Sequence, residues 1–225
     1  RLGGRGSAFA LMVRGPFPWA TMKALVTGGA GFIGSTLVAR LLDEGHSVVV
    51  IDTLVSGKLS NLEQAKAQAG DRLTFHELDI RSSKAIEVIA ETQPEVIFHL
   101  AAQMDVRVSV AQPVFDAEVN VIGSLHILEG ARAAGTRKVV FASSGGTIYG
   151  DAPDELLPLN EDAPQLPLSP YGITKKVFGD YLRAYKELHG LDYAAMALGN
   201  VFGPRQDPHG EAGVVAIFGQ RLLSG

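Results

Sequence analysis

Cysteine is absent from the 225-residue sequence, and tryptophan occurs only once. Without cysteine this sequence has neither disulfide bridges nor thiolate metal ligands, and its composition favours a reducing, cytoplasmic environment. Long apolar runs are lacking as well, since none approaches the roughly 20 residues that span a bilayer. The six histidines fall on separate predicted elements or near helix ends, so no metal site is predicted.

An excess of one charge is also missing. Twenty Lys and Arg residues stand against 24 Asp and Glu residues, a net charge of −4 without long runs of either sign. Nucleic acids and anionic membrane surfaces are bound by concentrated positive charge, so we expect neither as a partner. The hydrophobic fraction of 46% is enough for one substantial core in a chain of this length.

Glycine is concentrated where a short β-branched run ends. Gly28, Gly31 and Gly34 separate this run from an apolar helix pattern, and a second β-branched run ends at Asp52, 18 residues beyond Gly34. The order of strand, glycine turn, helix, strand and acid predicts a βαβ unit that binds the pyrophosphate of a dinucleotide. A carboxylate at Asp52 would accept hydrogen bonds from a ribose 2′-hydroxyl and repel a 2′-phosphate, which favours NAD over NADP.

Beyond Asp52 the apolar patterns alternate between those of helices and those of strands. We predict helices over 61–69 with Ser60 as N-cap, 83–92, 114–134 and 171–189, and strands over 73–78, 96–102, 138–142 and 193–198. This alternation predicts an α/β fold with a Rossmann-like doubly wound parallel sheet. Ligands bind such sheets at the carboxyl ends of the strands, where one crevice would collect the motifs.

Two segments fall outside this alternation. Residues 1–21 precede a natural start at Met22, and we expect them to be a disordered or extraneous leader. Residues 151–170 are rich in proline and acids. Their composition is typical of a solvated linker, whereas their length favours a lid or binding loop, and the sequence does not separate the two.

Tyr171 and Lys175 are four residues apart in a predicted helix, so their side chains share one face. A tyrosine with a pKa of about 10 is a poor base at neutral pH. A nearby ammonium group favours the phenolate, which can then remove a hydroxyl proton. Alone, the pair would be interpreted as an ordinary contact at the edge of a core. Beside a dinucleotide site, we interpret it as catalytic.

Several motifs occur in one order along residues 22–225. They are Gly28-x-x-Gly31-x-x-Gly34, Asp52, Asp79-Ile80, His99-Leu100-Ala101-Ala102, Ser143-Ser144 with Tyr149-Gly150, Tyr171-x-x-x-Lys175 and Asn200-Val201-Phe202-Gly203-Pro204-Arg205. Together they resemble the extended short-chain dehydrogenase/reductase family, within it the NAD-dependent epimerases and dehydratases. The likeness is greatest to UDP-glucose 4-epimerases and related nucleotide-sugar epimerases.

This resemblance implies an NAD cofactor and assigns residues to its site. The residues implied to bind NAD are Gly28, Gly31, Phe32, Ile33, Gly34, Asp52, Asp79, Ile80, Leu100, Ala101, Ala102, Gln103, Ser143, Tyr171 and Lys175. Tyr171 would be the catalytic base and acid, with Lys175 tuning it and holding the nicotinamide ribose. Asn200 and Thr147 would contact the substrate. Asn120 matches a family asparagine, although an asparagine in a helix is as easily structural.

The sequence departs from the family pattern at two places. Gly145 stands where the family usually has the serine or threonine that relays a proton. We expect Thr147 to replace it, with Ser144 or a water as substitutes. Leu198-Gly199 precedes Asn200, where the family often has an arginine and an aromatic residue, and this leaves the substrate contacts open.

The reaction implied by the resemblance is 4-epimerisation of UDP-glucose and UDP-galactose through a transient 4-keto sugar. UDP-N-acetylglucosamine and a UDP-uronate are alternative substrates. A 4,6-dehydratase comes next, but it needs an acid after the loop threonine, and here Ile148 follows Thr147. A non-catalytic NAD-binding sensor is the alternative of another class. It has no need of Tyr171 and Lys175.

The resemblance also implies how the chain is organised. Residues 22–198 would form the NAD-binding domain. Residues 199–225 would begin a smaller C-terminal substrate-binding domain that is mostly absent from this chain. Because family members commonly dimerise through their long helices, a homodimer that binds a UDP-hexose is expected.

Overall fold

The computed structural model describes residues 21–208 and 213–224, so the predicted leader lies outside it except for Thr21. The strands are β1 Lys23–Thr27, β2 Ser47–Asp52, β3 Leu73–Glu77, β4 Val96–His99, β5 Lys138–Ser144 and β6 Asp192–Leu198. The helices are α1 Phe32–Asp43, α2 Glu63–Ala69, α3 Lys84–Thr92, α4 Val106–Ala111, α5 Pro113–Ala117, α6 Ser124–Ala134, α7 Gly145–Ile148, α8 Pro170–His189 and α9 Val214–Ser224. A π-helical segment, Glu118–Gly123, joins α5 to α6, and 3₁₀ turns occupy Leu59–Asn61, Gly70–Arg72 and Asp154–Leu156.

The six strands form one parallel sheet in the order β3-β2-β1-β4-β5-β6. Strand β1 lies between β2 and β4, with Thr27 opposite both Ile51 and His99. The order of strands reverses between β1 and β4, and ligands bind sheets of this kind at the carboxyl ends of the strands beside such a reversal. The predicted Rossmann-like doubly wound sheet is confirmed.

Helices cover the sheet on two faces because side chains alternate along each strand. In β2, Val48 and Val50 pack toward α1 and α2, whereas Val49 and Ile51 belong to the cluster that includes α3, α6 and α8. Burial on both sides explains why this strand is a continuous β-branched run instead of an alternating one.

Two sequence predictions about these elements are wrong in detail. Strand β4 ends at His99 and not at residue 102, because the Ala101 amide donates to the Thr27 hydroxyl and the Leu100 amide is shared between that hydroxyl and the Thr27 carbonyl. Ser60 is not the N-cap of α2. It lies within a 3₁₀ turn, and α2 begins after Leu62 without a side-chain cap.

The region before β5 is more complex than the single predicted helix over 114–134. The chain is helical from Pro113 to Ala134, but its winding is π-helical over Glu118–Gly123. A further helix, α4, precedes it. This helix begins at a residue whose carboxylate caps it: Asp105 accepts the amides of Arg107 and Val108.

The segment over residues 151–169 joins α7 to α8, and both helices lie beside the same end of the sheet. It therefore connects two helices at the same end of the sheet, and its role as a solvated linker stays a prediction. Near its end, the backbone of Leu166 packs directly against Gly150. Its role as a lid stays a prediction.

Within the described ranges, no helix combines the length and the apolarity needed to cross a bilayer. In the same part of the chain, no group of three or more His, Asp or Glu side chains is arranged to hold a metal ion.

Candidate active site

The glycine turn after β1 leads directly into α1. Gly28 has φ +70° and donates its amide to the Ile51 carbonyl at 2.8 Å. Gly34 is buried in the first turn of α1, where a Cβ would collide with the carbonyl oxygen of Gly28 and lie 2.8 Å from Cα of Gly29. The N-cap Gly31 has no side chain to accept the first helix amides. These amides are therefore available to a phosphate.

Asp52 ends β2 and braces this turn. Its Oδ2 accepts the Ala30 amide at 2.9 Å, and its Oδ1 accepts the Leu54 amide at 2.8 Å. Each carboxylate oxygen has two acceptor positions, so capacity remains for a ribose hydroxyl. Asp52 thus lies where the sequence places it, and its contact with the ribose stays a prediction.

Asp79 follows β3 and is paired with Arg81. The guanidinium donates to Asp79 Oδ2 at 2.7 and 3.0 Å, and these hydrogen bonds hold the pKa of Asp79 below its usual range. Arg81 also lies 5.3 Å from the centroid of the Phe115 ring. The side chain of Ile80 is buried beneath Gly123. Its carbonyl oxygen lies 2.9 Å from His126 Nδ1, and its contact with an adenine stays a prediction.

A hydrogen-bond network holds the wall that follows β4. The Thr27 hydroxyl accepts the amides of Leu100 at 3.2 Å and Ala101 at 3.1 Å, and it lies 2.7 Å from His99 Nδ1. Because both lone pairs of the hydroxyl are used, its proton goes to Nδ1. His99 therefore carries its proton on Nε2, 2.8 Å from Ser124 Oγ. Burial lowers the pKa of His99 to about 3, so the ring is neutral.

This neutral histidine is expected to make the fold sensitive to mild acid. The pKa of His99 is about 3 in the folded chain, against about 6.5 when unfolded, so the unfolded chain takes up the proton first. The free energy of unfolding should fall by about 2 kcal/mol between pH 6.5 and pH 5. Urea denaturation at both pH values measures this. The exposed His189 provides the control. H189Q should keep the pH dependence of the free energy of unfolding, and H99Q should weaken it. A wild-type stability that does not change between pH 6.5 and pH 5 contradicts the assignment.

Strand β5 ends at Ser143 and Ser144, which lie opposite Ala197 and Leu198 of β6. The limited space at this strand end explains why position 145 is glycine and not the serine or threonine that is usual in the family. A Cβ on Gly145 would lie 2.9 Å from the carbonyl oxygen of Ala197 and 3.2 Å from that of Leu198. A serine does not fit at this position without displacing β6.

Thr147 lies in α7, and its Oγ1 is buried without a hydrogen-bond partner in the described part of the chain. A buried hydroxyl in this state is rare and indicates a missing ligand or water. The helix that carries Tyr171 packs closely against this turn, since a Cβ on Gly172 would lie 2.7 Å from the Thr147 carbonyl oxygen. The structure therefore brings Thr147 close to the start of α8.

Tyr171 and Lys175 occupy the first two turns of α8, which is capped by Ser169. Lys175 is 4% exposed, and its Nζ donates to the Ala142 carbonyl at 2.9 Å. The same Nζ lies 5.6 Å from the centroid of the Tyr171 ring and 4.7 Å from that of Phe141. Burial lowers the pKa of Lys175 to about 8. The lysine is therefore mostly protonated at pH 7.

The predicted site residues all fall at the carboxyl edge of the sheet. Each group lies at or after the carboxyl end of one of the strands, and in chain order from β1 to β6 the groups are Gly28–Gly34, Asp52, Asp79–Ile80, Leu100–Gln103, Ser143–Thr147 and Asn200. Tyr171 and Lys175 join them because α8 begins beside α7. Gln103 differs from its neighbours, since its side-chain amide bonds to Asp105 and Asp116 of the protein itself.

Sequence reasoning missed two polar side chains beneath this site, Asp116 and Thr174. Both are buried, and they are hydrogen-bonded to each other at 2.9 Å. A signal existed in the sequence. Asp116 lies four residues before Asn120 and thus on the same helix face, and Thr174 directly precedes Lys175.

A parallel sheet with this strand order, a glycine turn at its switch point and an acid after β2 define a dinucleotide-binding protein of the Rossmann class. The sequence profile of the NAD dependent epimerase/dehydratase family matches residues 24–225. The chain belongs to this family.

Individual proteins of the family are similar over most of the chain. The UDP-glucose 4-epimerase of Mycolicibacterium smegmatis is 53% identical over 91% of the chain and 64% of its own length. The crystal structure of Thermus thermophilus UDP-glucose 4-epimerase with NAD has a TM-score of 0.83 at 46% identity, covering 91% of this chain and 63% of that one. That of the Thermotoga maritima enzyme with UDP-glucose has a TM-score of 0.83 at 44% identity, covering 90% and 63%. The chain thus spans just under two thirds of these relatives.

The residues present fit the cofactor of this family. Gly28, Gly31 and Gly34 leave the backbone of the turn bare where a pyrophosphate would lie, and Asp52 offers a carboxylate to a ribose without a 2′-phosphate. The cofactor is NAD.

Proposed function

We propose that the protein containing this chain is an NAD-dependent UDP-glucose 4-epimerase. The observation that carries this proposal is the position of the buried Lys175 ammonium, 5.6 Å from the Tyr171 ring, at the same sheet edge as the glycine turn. The resemblance to named UDP-glucose 4-epimerases over about nine tenths of the chain supports it.

The proposed chemistry at Tyr171 is a proton transfer. The charge of Lys175 favours the phenolate, which removes the proton of the sugar 4-hydroxyl and later returns it. The chemistry that bound NAD would supply is a reversible hydride acceptor for the sugar C4, from which hydride would return to the other face. Lys175 keeps its place through the Ala142 carbonyl, and the neutral His99 adds no competing charge.

Thr147 is proposed to relay the proton between the sugar and Tyr171. Its unpartnered Oγ1 supports this role, with Ser144 as the neighbouring hydroxyl. We expect T147V to lower kcat by roughly 10²-fold, the low end for a proton-transfer group, and T147S to retain activity. Adding G145S to T147V should not restore turnover, because a Cβ at residue 145 meets the Ala197 carbonyl at 2.9 Å. Wild-type kcat in T147V would eliminate the relay.

The test of function presents UDP-glucose, UDP-N-acetylglucosamine and UDP-glucuronate separately to the purified protein, without added NAD. We expect conversion of UDP-glucose to its 4-epimer, detected by chromatography of the nucleotide sugars. Turnover of one of the other two alone would reassign the substrate. Loss of water from the sugar would identify a dehydratase, and no turnover with NAD bound would favour a sensor.

We further propose a cytoplasmic homodimer. The absence of cysteine supports the location. Apolar side chains exposed on α4, α5, the π-helical segment and α8 support the assembly, namely Val110, Val114, Ile122 and Ile173. Exposed patches of this kind mark protein interfaces. Sedimentation equilibrium measures the assembly, and a monomer at micromolar concentration would count against it.

A further inference from the structure

Asp116 is a completely buried carboxylate in α5 that the proposed reaction leaves unused. Its Oδ1 accepts Gln103 Nε2 at 2.8 Å and Asn120 Nδ2 at 3.0 Å. Its Oδ2 accepts the hydroxyl of Thr174 at 2.9 Å. Burying a charge costs several kcal/mol unless it is compensated. Asp116 therefore needs an explanation beyond packing.

Each of its three partners belongs to a different part of the site. Gln103 is in the wall after β4, and Asn120, in the π-helical segment, also bonds the backbone of Gln103 at both its amide and its carbonyl, each at 2.9 Å. Thr174 is the residue before Lys175 in α8, and its hydroxyl lies 3.0 Å from the Tyr171 carbonyl. One carboxylate thus links the cofactor wall to the helix that carries Tyr171.

Lys175, one residue beyond Thr174 in α8, is a second buried ionisable side chain. Burial lowers the pKa of Lys175, and the negative charge of Asp116 acts in the opposite direction by raising it. Across this low-dielectric region a charge acts more strongly than it would in water. A neutral residue at position 116 would leave the burial of Lys175 uncompensated.

We propose that Asp116 is a positioning residue, which fixes α8 against the cofactor wall through Thr174 and holds a negative charge beside the helix turn that carries Lys175. This inference rests on the proposed function for its effect on turnover, and its effect on Lys175 can be measured without turnover. Removing the negative charge lowers the pKa of Lys175, so the alkaline limb of the pH–rate profile moves to lower pH.

Of the other described groups that face Lys175, Tyr171 would add a negative charge, and only while it is the phenolate. His99 faces Lys175 from β4 and is neutral, Phe141 and the Ala142 carbonyl face it from β5, and Tyr171 shares its helix. On the side of Asp116, the carboxylate of Asp105 is paired with Arg107 at 2.7 Å.

The test compares D116N with T174V, T174S and the control D180N in the NAD-bound protein. Asparagine keeps the shape of Asp116 and can still accept from Gln103 and Asn120, while the Thr174 hydroxyl is free to donate to the Tyr171 carbonyl. D180N removes the same charge from the exposed face of α8, where Asp180 pairs with Lys176 and Arg183. T174V removes the link to α8 and leaves the charge at residue 116.

Two quantities are measured: kcat from pH 6 to pH 9.5, and the titration of Lys175 by ¹³Cε NMR of labelled lysine, assigned with K175M. We expect a Lys175 midpoint near 8 in the wild type. In D116N it should lie lower, and the ratio of kcat at pH 8.5 to kcat at pH 6.5 should fall about sixfold, as a shift of the midpoint by one pH unit from about 8 gives. T174V should lower kcat without moving the midpoint, T174S should restore kcat, and D180N should match the wild type.

An unchanged Lys175 midpoint in D116N would overturn the role of the charge, and wild-type kcat in T174V would overturn the positioning. If D116N does not fold, T174V and T174S still decide the positioning, because both keep the buried carboxylate. If the wild type turns over no UDP-sugar while D116N moves the Lys175 midpoint, the proposed function fails and the charge coupling stands.

Discussion

Replacing Tyr171 with phenylalanine is expected to lower kcat for UDP-galactose by about 10³-fold or more, with NAD binding retained. The phenol oxygen is the group proposed to remove and return the 4-hydroxyl proton, and a positioned acid–base group contributes 10² to 10⁴-fold, as a rough range. The ring itself stays, so the contact with Lys175 at 5.6 Å is kept. A coupled assay of UDP-glucose formation measures kcat, and calorimetry measures the affinity for NAD.

Tyr181 provides a matched control for this variant. It lies on the same helix and is 38% exposed, so Y181F makes the identical chemical change away from the sheet edge. Its kcat should remain within about twofold of the wild type, as for a surface substitution. A Y171F variant with more than a tenth of wild-type kcat would remove Tyr171 from the proton transfer and assign that step to another hydroxyl.

Gly34→Ala is expected to raise the Kd for NAD by at least about 10²-fold and to destabilise the fold. The added Cβ meets the carbonyl oxygen of Gly28, and Cα of Gly29 lies 2.8 Å away. Backbone atoms cannot move aside as a flexible side chain does, so α1 must shift away from the turn. Overpacking of this kind costs about 1–3 kcal/mol. The displaced amides then no longer converge on a phosphate.

The same substitution at Gly179 serves as the control. Gly179 lies inside α8 with no atom within 4 Å of an added Cβ, and alanine is favoured over glycine in a helix interior by up to about 1 kcal/mol. G179A should therefore raise the melting temperature slightly and leave the affinity for NAD unchanged. Wild-type affinity in a folded G34A variant, measured by calorimetry, would mean that the pyrophosphate does not lie against this turn.

Features that depend on local pattern could be predicted from the sequence. The apolar runs before Gly28 and Asp52 predict strands because a sheet covered on both faces requires apolar side chains at consecutive positions. The spacing of Tyr171 and Lys175 places both on one face of α8, as observed. Gly190 ends that helix with φ +71°, where its missing Cβ avoids strain.

Features that depend on contacts between distant residues could not be predicted. The reason for Gly145 lies in the carbonyls of Ala197 and Leu198, which are more than 50 positions away in the chain. The link between Asp116 and Thr174 spans 58 positions. The early end of β4 depends on the Thr27 hydroxyl, which competes for the amides that would have continued the strand.

The helical stretch from Pro113 to Ala134 has one more consequence. Asp116, Asn120 and Ser124 follow each other at four-residue intervals and bond, in turn, to α8, to the wall after β4 and to His99 inside the sheet. Local opening of any of these parts breaks hydrogen bonds shared with the others, so they should open as one cooperative unit. Amide protons of Gln103 and Thr174 should then exchange with solvent deuterium at similar rates. A dinucleotide that holds the wall after β4 closed would then also slow the exchange of amide protons in α8.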